Sequence, residues 1–345
     1  MLVYKQFKLK RVFAFAGYHM VWLTAWVSVV AFSYQKFELS WLSIPWVPIA
    51  LIGTAVAFYV GFKNNSAYDR TWEARKIWGA IVNDSRAWGS MVKAYIDDYS
   101  LDKNKNSQDI ADIKKSLIYR HIAWLYCLRN QLLKPTDWEH ERQGGFVKFK
   151  ARQFRKKYGL GLFEDEIKDA ELYHLLSNDE YQKLKHYKNP ATHLIDQQAQ
   201  VLAQLTKAGT LETFRQIELQ KLLNSFYEQQ GKCERIKKFP LPRQYGNISQ
   251  YLVSIFIFLL PFGMMSEFSG LTGGAFYWSI PLTVLVGWVF VVMETVGDYT
   301  ENPFEGMGND IPMLSLCRTI ENDLRQMLNE TELPEDIKVK NGVLM

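Results

Sequence analysis

Four uncharged runs punctuate the chain, at residues 12–35, 39–62, 244–266 and 268–293. Each is long enough to cross a bilayer as a helix, which takes ~20 mostly apolar residues. Residues 63–243, between the second and third runs, are polar, charged and patterned with the helical period. The pattern predicts an all-α chain with four transmembrane helices and a large water-facing helical insert. The predicted organisation is 1–65 for the N-terminal segment and first two spans, 66–243 for the helical domain, 244–298 for the last two spans and 299–345 for a C-terminal strap. The first run follows Lys5, Lys8, Lys10 and Arg11, as a secretory signal would. It is too long for a signal's apolar core, and a second span follows closely, so it reads as retained.

The second run carries Pro45 and Pro48 near its start, where a helix tolerates them best. Small residues follow (Gly53, Ala55, Ala57, Gly61) and permit close helix approach. Thr54, Phe58 and Phe62 are spaced by four and share one face. The plainer reading of that pattern is an aromatic packing stripe.

The insert opens on a long helical pattern from Ser66 to Tyr99. Residues 100–110 read as a loop, 110–132 as a helix, 136–160 as a basic loop or short helices, and 191–207 as a helix broken at Gly209. Thr210 reads as the N-cap of a last helix, 211–232, with Glu212 in its first turn. In that helix Leu219, Leu222, Leu223 and Phe226 form one stripe, while Ile217 falls opposite, among Lys221 and Asn224. A branched apolar residue on a polar face implies either contact with another subunit or helix, or a constriction facing a watery passage. The tail turns through Pro303 and Gly306 to Gly308. Ile311, Leu314, Cys317, Ile320 and Leu324 then make the apolar stripe of a strap docking on the insert, and residues after Glu330 read as frayed.

Charge sets the orientation. Bases crowd the N-terminal stretch and both edges of the insert (Lys63, Arg70, Arg75 and Lys76; Lys232, Arg235, Lys237, Lys238 and Arg243). The two outer loops hold only Lys36, beside Glu38, and Glu267. Both termini and the insert are therefore predicted to be cytoplasmic, in a multi-pass protein of the cell membrane. Cys127, Cys233 and Cys317 are scattered, odd in number and on the reducing side. A net charge of +5 on 345 residues is small, and we read no basic stripe interleaved with stacking aromatics, so nucleic acid is not an expected partner. Glu294 and Asp298 close the fourth run at its inner boundary, where pairing with the N-terminal bases is the structural expectation. His19 in the first run reads as a neutral histidine bonded to a neighbouring helix. No phosphate-binding glycine loop, paired-histidine metal helix or nucleophile elbow is present, so an enzyme is not expected.

Several stretches together resemble the bestrophin family. Asn65-Ser66-Ala67-Tyr68-Asp69-Arg70-Thr71-Trp72-Glu73-Ala74-Arg75-Lys76-Ile77-Trp78-Gly79, continuing to Asn83, Ser85 and Arg86, is similar to the signature of the prokaryotic branch. Cys233-Glu234-Arg235-Ile236 with Pro240, then Leu260-Pro261-Phe262-Gly263, and finally Glu301-Asn302-Pro303-Phe304 follow in the family's order. The resemblance implies a homopentamer around one axis, a neck lined by Thr54, Phe58 and Phe62, and a cytoplasmic aperture at Ile217. These are the residues the pattern had set apart, and with that agreement the aromatic stripe is read as a neck.

Animal members follow the Asn-Pro-Phe turn with consecutive acids that clasp calcium. Here the chain reads Glu305-Gly306-Met307-Gly308-Asn309-Asp310. Asn302 and Asp310 leave a weak cation site at most, and neither calcium regulation nor a cofactor is expected. Asn65 and Asp69 lie near the stripe's side as candidates for ion selection, and Asp69 carboxylates there would favour cations. The expectation is a passive channel for monovalent anions such as chloride, gated by its hydrophobic neck, with lipid, ions and copies of itself as partners. A sodium channel of the same architecture and a non-conducting membrane scaffold are the alternatives.

Overall fold

The computed structural model of the chain describes residues 1–4, 9–99, 106–158, 172, 174–271 and 273–345. Its helices are α1 (Leu9–Ala16), α2 (Tyr18–Lys36), α3 (Trp46–Tyr95), α4 (Ser107–Leu132), α5 (Gly145–Tyr158), α6 (Asn178–Leu184), α7 (Pro190–Lys207), α8 (Thr213–Lys238), α9 (Arg243–Phe268), α10 (Ser279–Asp298) and α11 (Met313–Met327). Among the described residues the only β pairing is two isolated bridges, Leu2–Val343 and Lys340–Val343. The chain divides into two compact units. A membrane unit comprises Tyr4–Thr71 and Pro240–Asn302, and a helical unit comprises Met1–Val3, Trp72–Phe239 and Pro303–Met345.

Three helices of the described chain are long and apolar enough to cross a membrane: Ser40–Tyr95, Arg243–Phe268 and Gly274–Asp298. The first apolar run does not form the uninterrupted helix predicted over 12–35. It breaks at Gly17, leaving α2 with 19 residues. Trp288 explains the break. Its indole donates to the Ala16 carbonyl at 3.0 Å, and the Met20 amide bonds Gly17 instead, also at 3.0 Å. His19 accepts from Trp22 of its own helix at 3.0 Å.

Small residues set the spacing inside the membrane unit, where van der Waals fit replaces the hydrophobic effect. A Cβ on Gly53 would stand 2.7 Å from the Phe256 ring, one on Gly263 2.6 Å from Ile49, and one on Gly297 2.0 Å from the Asn64 amide oxygen. Asn64 also donates to the Met293 carbonyl at 2.9 Å, tying α3 to α10. Around these contacts Leu23, Val27, Val56, Val60, Phe256, Leu260 and Val284 form the core.

In the helical unit α4 is the central rod. Asn106 and Asp109 close a capping box at its start, and Arg120 to Arg129 are all buried, with Leu117 and Ile118 before them. Residues 100–105 of the predicted loop lie outside the described residues, as do Lys5 and Lys8. Trp88, His121, Trp124 and Phe226 interlock, with the His121 and Phe226 rings 4.5 Å apart. The strap is present as α11, packed on α4, with Ile311, Leu314, Cys317, Ile320 and Leu324 buried.

Three predictions for this unit need correction. Thr210 is not a cap: α8 begins at Thr213 with Glu212 at the N-cap, and the Thr210 carbonyl instead accepts from Asp97 at 3.1 Å. The segment after Glu330 is not frayed throughout, because Val343 is buried and the Met345 carbonyl accepts from Ser315 at 2.7 Å. Residues 145–158 form one 14-residue helix in which bases and phenylalanines alternate, so a basic aromatic stripe does exist.

His121 sits fully buried, its Nε2 2.9 Å from Ser85 Oγ. Ser85 spends its own proton on the Ile81 carbonyl, so the imidazole donates through Nε2 and Nδ1 stays bare. Burial lowers its pKa to about 3 from 6.5. Below 6.5 the unfolded chain takes a proton that the folded chain refuses until about 3, so this group's contribution is complete above 6.5 and is lost as pH falls through that window. Melting followed by tryptophan fluorescence should therefore show a smaller loss of stability for His121→Phe than for the parent chain between about pH 7 and about pH 4.

Candidate pore-lining site

α3 continues for 50 residues through Pro48, which falls in its first turn, where no backbone donor is lost. Its two faces differ sharply over the membrane stretch. Gly53, Val56, Val60, Lys63 and Ala67 are buried within the membrane unit, while Thr54, Phe58, Phe62, Asn65 and Asp69 are exposed on the other face. Phe58 and Phe62 are 66% and 64% exposed, unusual for the largest apolar side chains of a packed helix. Leu51, 67% exposed and three residues before Thr54, extends the same stripe. The sequence reading missed it, although the three-or-four-residue repeat of a helix, taken as a step of three before Thr54, reaches it.

Thr54 turns its hydroxyl back onto the Ala50 carbonyl at 2.9 Å, so its methyl is left to the exposed face. A Cβ on Gly61 would meet nothing, so open space lies beside Phe62. Asn65 donates to Asp69 at 3.4 Å one turn later, and both remain exposed.

The inner end of the unit holds a charge pair that the sequence reading assigned otherwise. The predicted pairing of Glu294 with the N-terminal bases falls partly on Lys5 and Lys8, outside the described residues; among the described residues the carboxylate has another basic partner. Lys63 of α3 reaches its carboxylate at 2.5 Å, and Ser249 of α9 donates to the other oxygen. The side chains are 3% and 12% exposed. Lys63 is thereby withdrawn from the exposed face.

In the helical unit, Ile217 is 48% exposed on α8 while Leu219, Leu223 and Phe226 behind it are fully buried. Phe214, one turn earlier on the same face, is 77% exposed. The helix thus keeps its core stripe inward and presents Ile217 to solvent within the chain.

Asn302 belongs to the membrane unit and Asp310 to the helical unit. Asp310 is buried and its carboxylate accepts from the amides of Phe304 (3.0 Å), Gly306 (2.7 Å) and Ile311 (2.7 Å). Desolvation pushes its pKa up while those amides pull it down. The amides hold a turn in which Phe304 and Gly306 both take positive φ, 70° and 81°. The neighbouring Glu305 carboxylate meets His140 Nδ1 at 2.9 Å, and its carbonyl accepts from Arg155. Asp310 therefore acts as a turn anchor, and Glu305 is already matched by a basic side chain. Among the described residues no group of three or more His, Cys, Asp or Glu is placed to hold a metal ion.

The family model described as "Bacterial/Fungal Bestrophin protein" matches residues 16–326. This chain belongs to the bestrophin family. The voltage-dependent anion channel-forming protein YneE of Escherichia coli K12 is 27% identical over 290 residues, 84% of this bestrophin and 79% of that protein. A voltage-dependent anion channel-forming protein of Mesorhizobium japonicum is 27% identical over 323 residues, 93% and 85% of the two chains. The crystal structure of a bacterial bestrophin homolog from Klebsiella pneumoniae superposes with a TM-score of 0.72 at 22% identity, covering 91% of this chain and 99% of that one, which establishes the shared fold.

The Lys63–Glu294 pair yields a direct test. Lys63→Met leaves Glu294 buried and uncompensated, a loss of about 3–5 kcal/mol for a pair of this kind, whereas a well-packed neutral replacement of both partners is close to neutral. The thermal midpoint of the protein, followed by fluorescence-detected size exclusion, should fall for Lys63→Met and recover in Lys63→Met with Glu294→Gln.

Proposed function

We propose that this bestrophin forms an anion-conducting pore with copies of itself, each contributing the exposed face of α3 to a shared neck. The carrying observation is the pair of phenyl rings at Phe58 and Phe62. They are large, apolar and exposed, on the face of α3 turned away from the chain's own packing. A ring of such faces, five by the family resemblance, gives those residues a place: with Thr54 they line a narrow hydrophobic passage. Symmetric closure also explains how one chain with few spans encloses a conduit.

In that passage water is held weakly, and a constriction of phenyl rings blocks ions by dewetting when narrow. The open space beside Gly61 gives the rings room to turn or the helix room to shift. Ile217 forms a second constriction at the cytoplasmic end. Ring edges are partially positive and faces partially negative, so edge-on rings would favour an anion. The names of the relatives support anion conduction, and a small monovalent anion such as chloride fits a neck without fixed bases. Asn65 and Asp69, just beyond it, set the counter-influence: five Asp69 carboxylates would admit cations. We place both termini and the 63–243 insert in the cytoplasm, following the distribution of Lys and Arg.

Two measurements in planar bilayers test this reading. Phe58→Ala with Phe62→Ala should raise the current several-fold and leave the channel open for more of the time; unchanged current would place the gate elsewhere. Under a salt gradient the reversal potential should lie toward the chloride equilibrium potential. A value at the sodium potential would transfer selectivity to Asp69, with Asp69→Asn then weakening it.

A further inference from the structure

Conduction as derived above gives α5 no task. Residues 142–157 hold seven bases and no acid. Ala151 and Arg155 form the buried side of the helix, and Arg155 is fastened to Glu141 and to the Glu305 carbonyl. The outward side is divided. Phe146, Val147 and Phe149 stand 52%, 42% and 54% exposed near its start, and Arg152, Lys156 and Lys157 are exposed further along. The Lys150 ammonium lies 5.3 Å from the centre of the Phe146 ring.

We propose that this face of α5 docks on the anionic headgroups of the membrane that the spans cross. Half-exposed phenyl rings beside a dense set of amines suit the boundary between acyl chains and phosphates, where rings enter and bases stay with the charge. The covalent chain keeps the helix within reach. Glu305, which accepts Arg155, follows the last residue of α10 by seven residues, and seven residues extend at most ~25 Å. A second copy of the same face would set like charges against like, so lipid is the occupant. The inference rests on the membrane reading above but not on conduction.

The test uses the full-length protein carrying Gln153→Cys, an exposed position, labelled with an environment-sensitive fluorophore; the three native cysteines are buried. It is reconstituted into vesicles of phosphatidylcholine alone or with about a third phosphatidylglycerol in both leaflets, so that orientation does not matter. The emission should shift to the blue only with phosphatidylglycerol, and brominated lipid should quench it. Salt at roughly 0.5 M should reverse the shift. Changing Lys148, Arg152, Lys156 and Lys157 to Gln should weaken docking by roughly fivefold per base at low salt. Phe149→Ser should reduce brominated-lipid quenching while leaving the dependence on phosphatidylglycerol. Equal emission in the two vesicle types would overturn the proposal. So would a blue shift already present in lipid-free detergent, which would assign the face to a neighbouring subunit, or one induced there by single-stranded RNA. Ion flux from the same vesicles, measured separately, shows whether the channel reading stands when the lipid contact fails.

Discussion

The contact between Lys63 and Glu294 decides which way α3 faces. A charged pair at the edge of an apolar bundle is tolerated only where its groups are matched, and here the carboxylate is met by an ammonium and by the Ser249 hydroxyl. With Lys63 held inward, the helical repeat leaves no freedom to the rest of the helix. Thr54 lies nine residues back, half a turn away around the axis, and Phe58 and Phe62 fall on the same outward side. Asn64 adds a second tie through the Met293 carbonyl, in a space kept open by Gly297. The exposed aromatic face is thus the consequence of a polar constraint on the opposite side of the same helix.

The same division recurs in the helical unit without a membrane. Leu219, Leu223 and Phe226 bind α8 to the aromatic cluster around Trp124, and Ile217 is carried outward by the remaining angle. Phenyl and branched aliphatic groups that a single chain leaves in water are costly. In the assembly proposed above they would either meet another copy or narrow a passage. The turn at Phe304 to Asp310 is held differently: backbone amides consume the Asp310 carboxylate, and His140 meets Glu305. A carboxylate turned onto three amides fixes the backbone of this turn.

The four apolar runs, the helical character of the insert and the stripe of the strap were legible because each rests on local periodicity. So were the inward and outward faces of α3 and α8, since residues spaced by three and four share a side whatever surrounds them. Leu51 was missed although local spacing could reach it, whereas other misses depend on distant partners. The first run breaks because Trp288, far along the chain, takes the Ala16 carbonyl. Thr210 looked like a cap, but its carbonyl is engaged by Asp97 and the helix starts later. The end of the chain looked frayed because it lacks a periodic stripe, yet Val343 is buried.

Sequence by itself determined that this bestrophin is an all-helical chain with membrane-crossing runs and an aromatic stripe, because hydrophobic spacing is a local property of the polymer. Only the tertiary structure decided that Glu294 belongs to Lys63, that Asp310 anchors a turn, and that residues 145–158 form one helix fastened through Arg155. Charges and buried polar groups choose their partners by proximity in space, and no spacing along the chain encodes which of many acids a given base will meet.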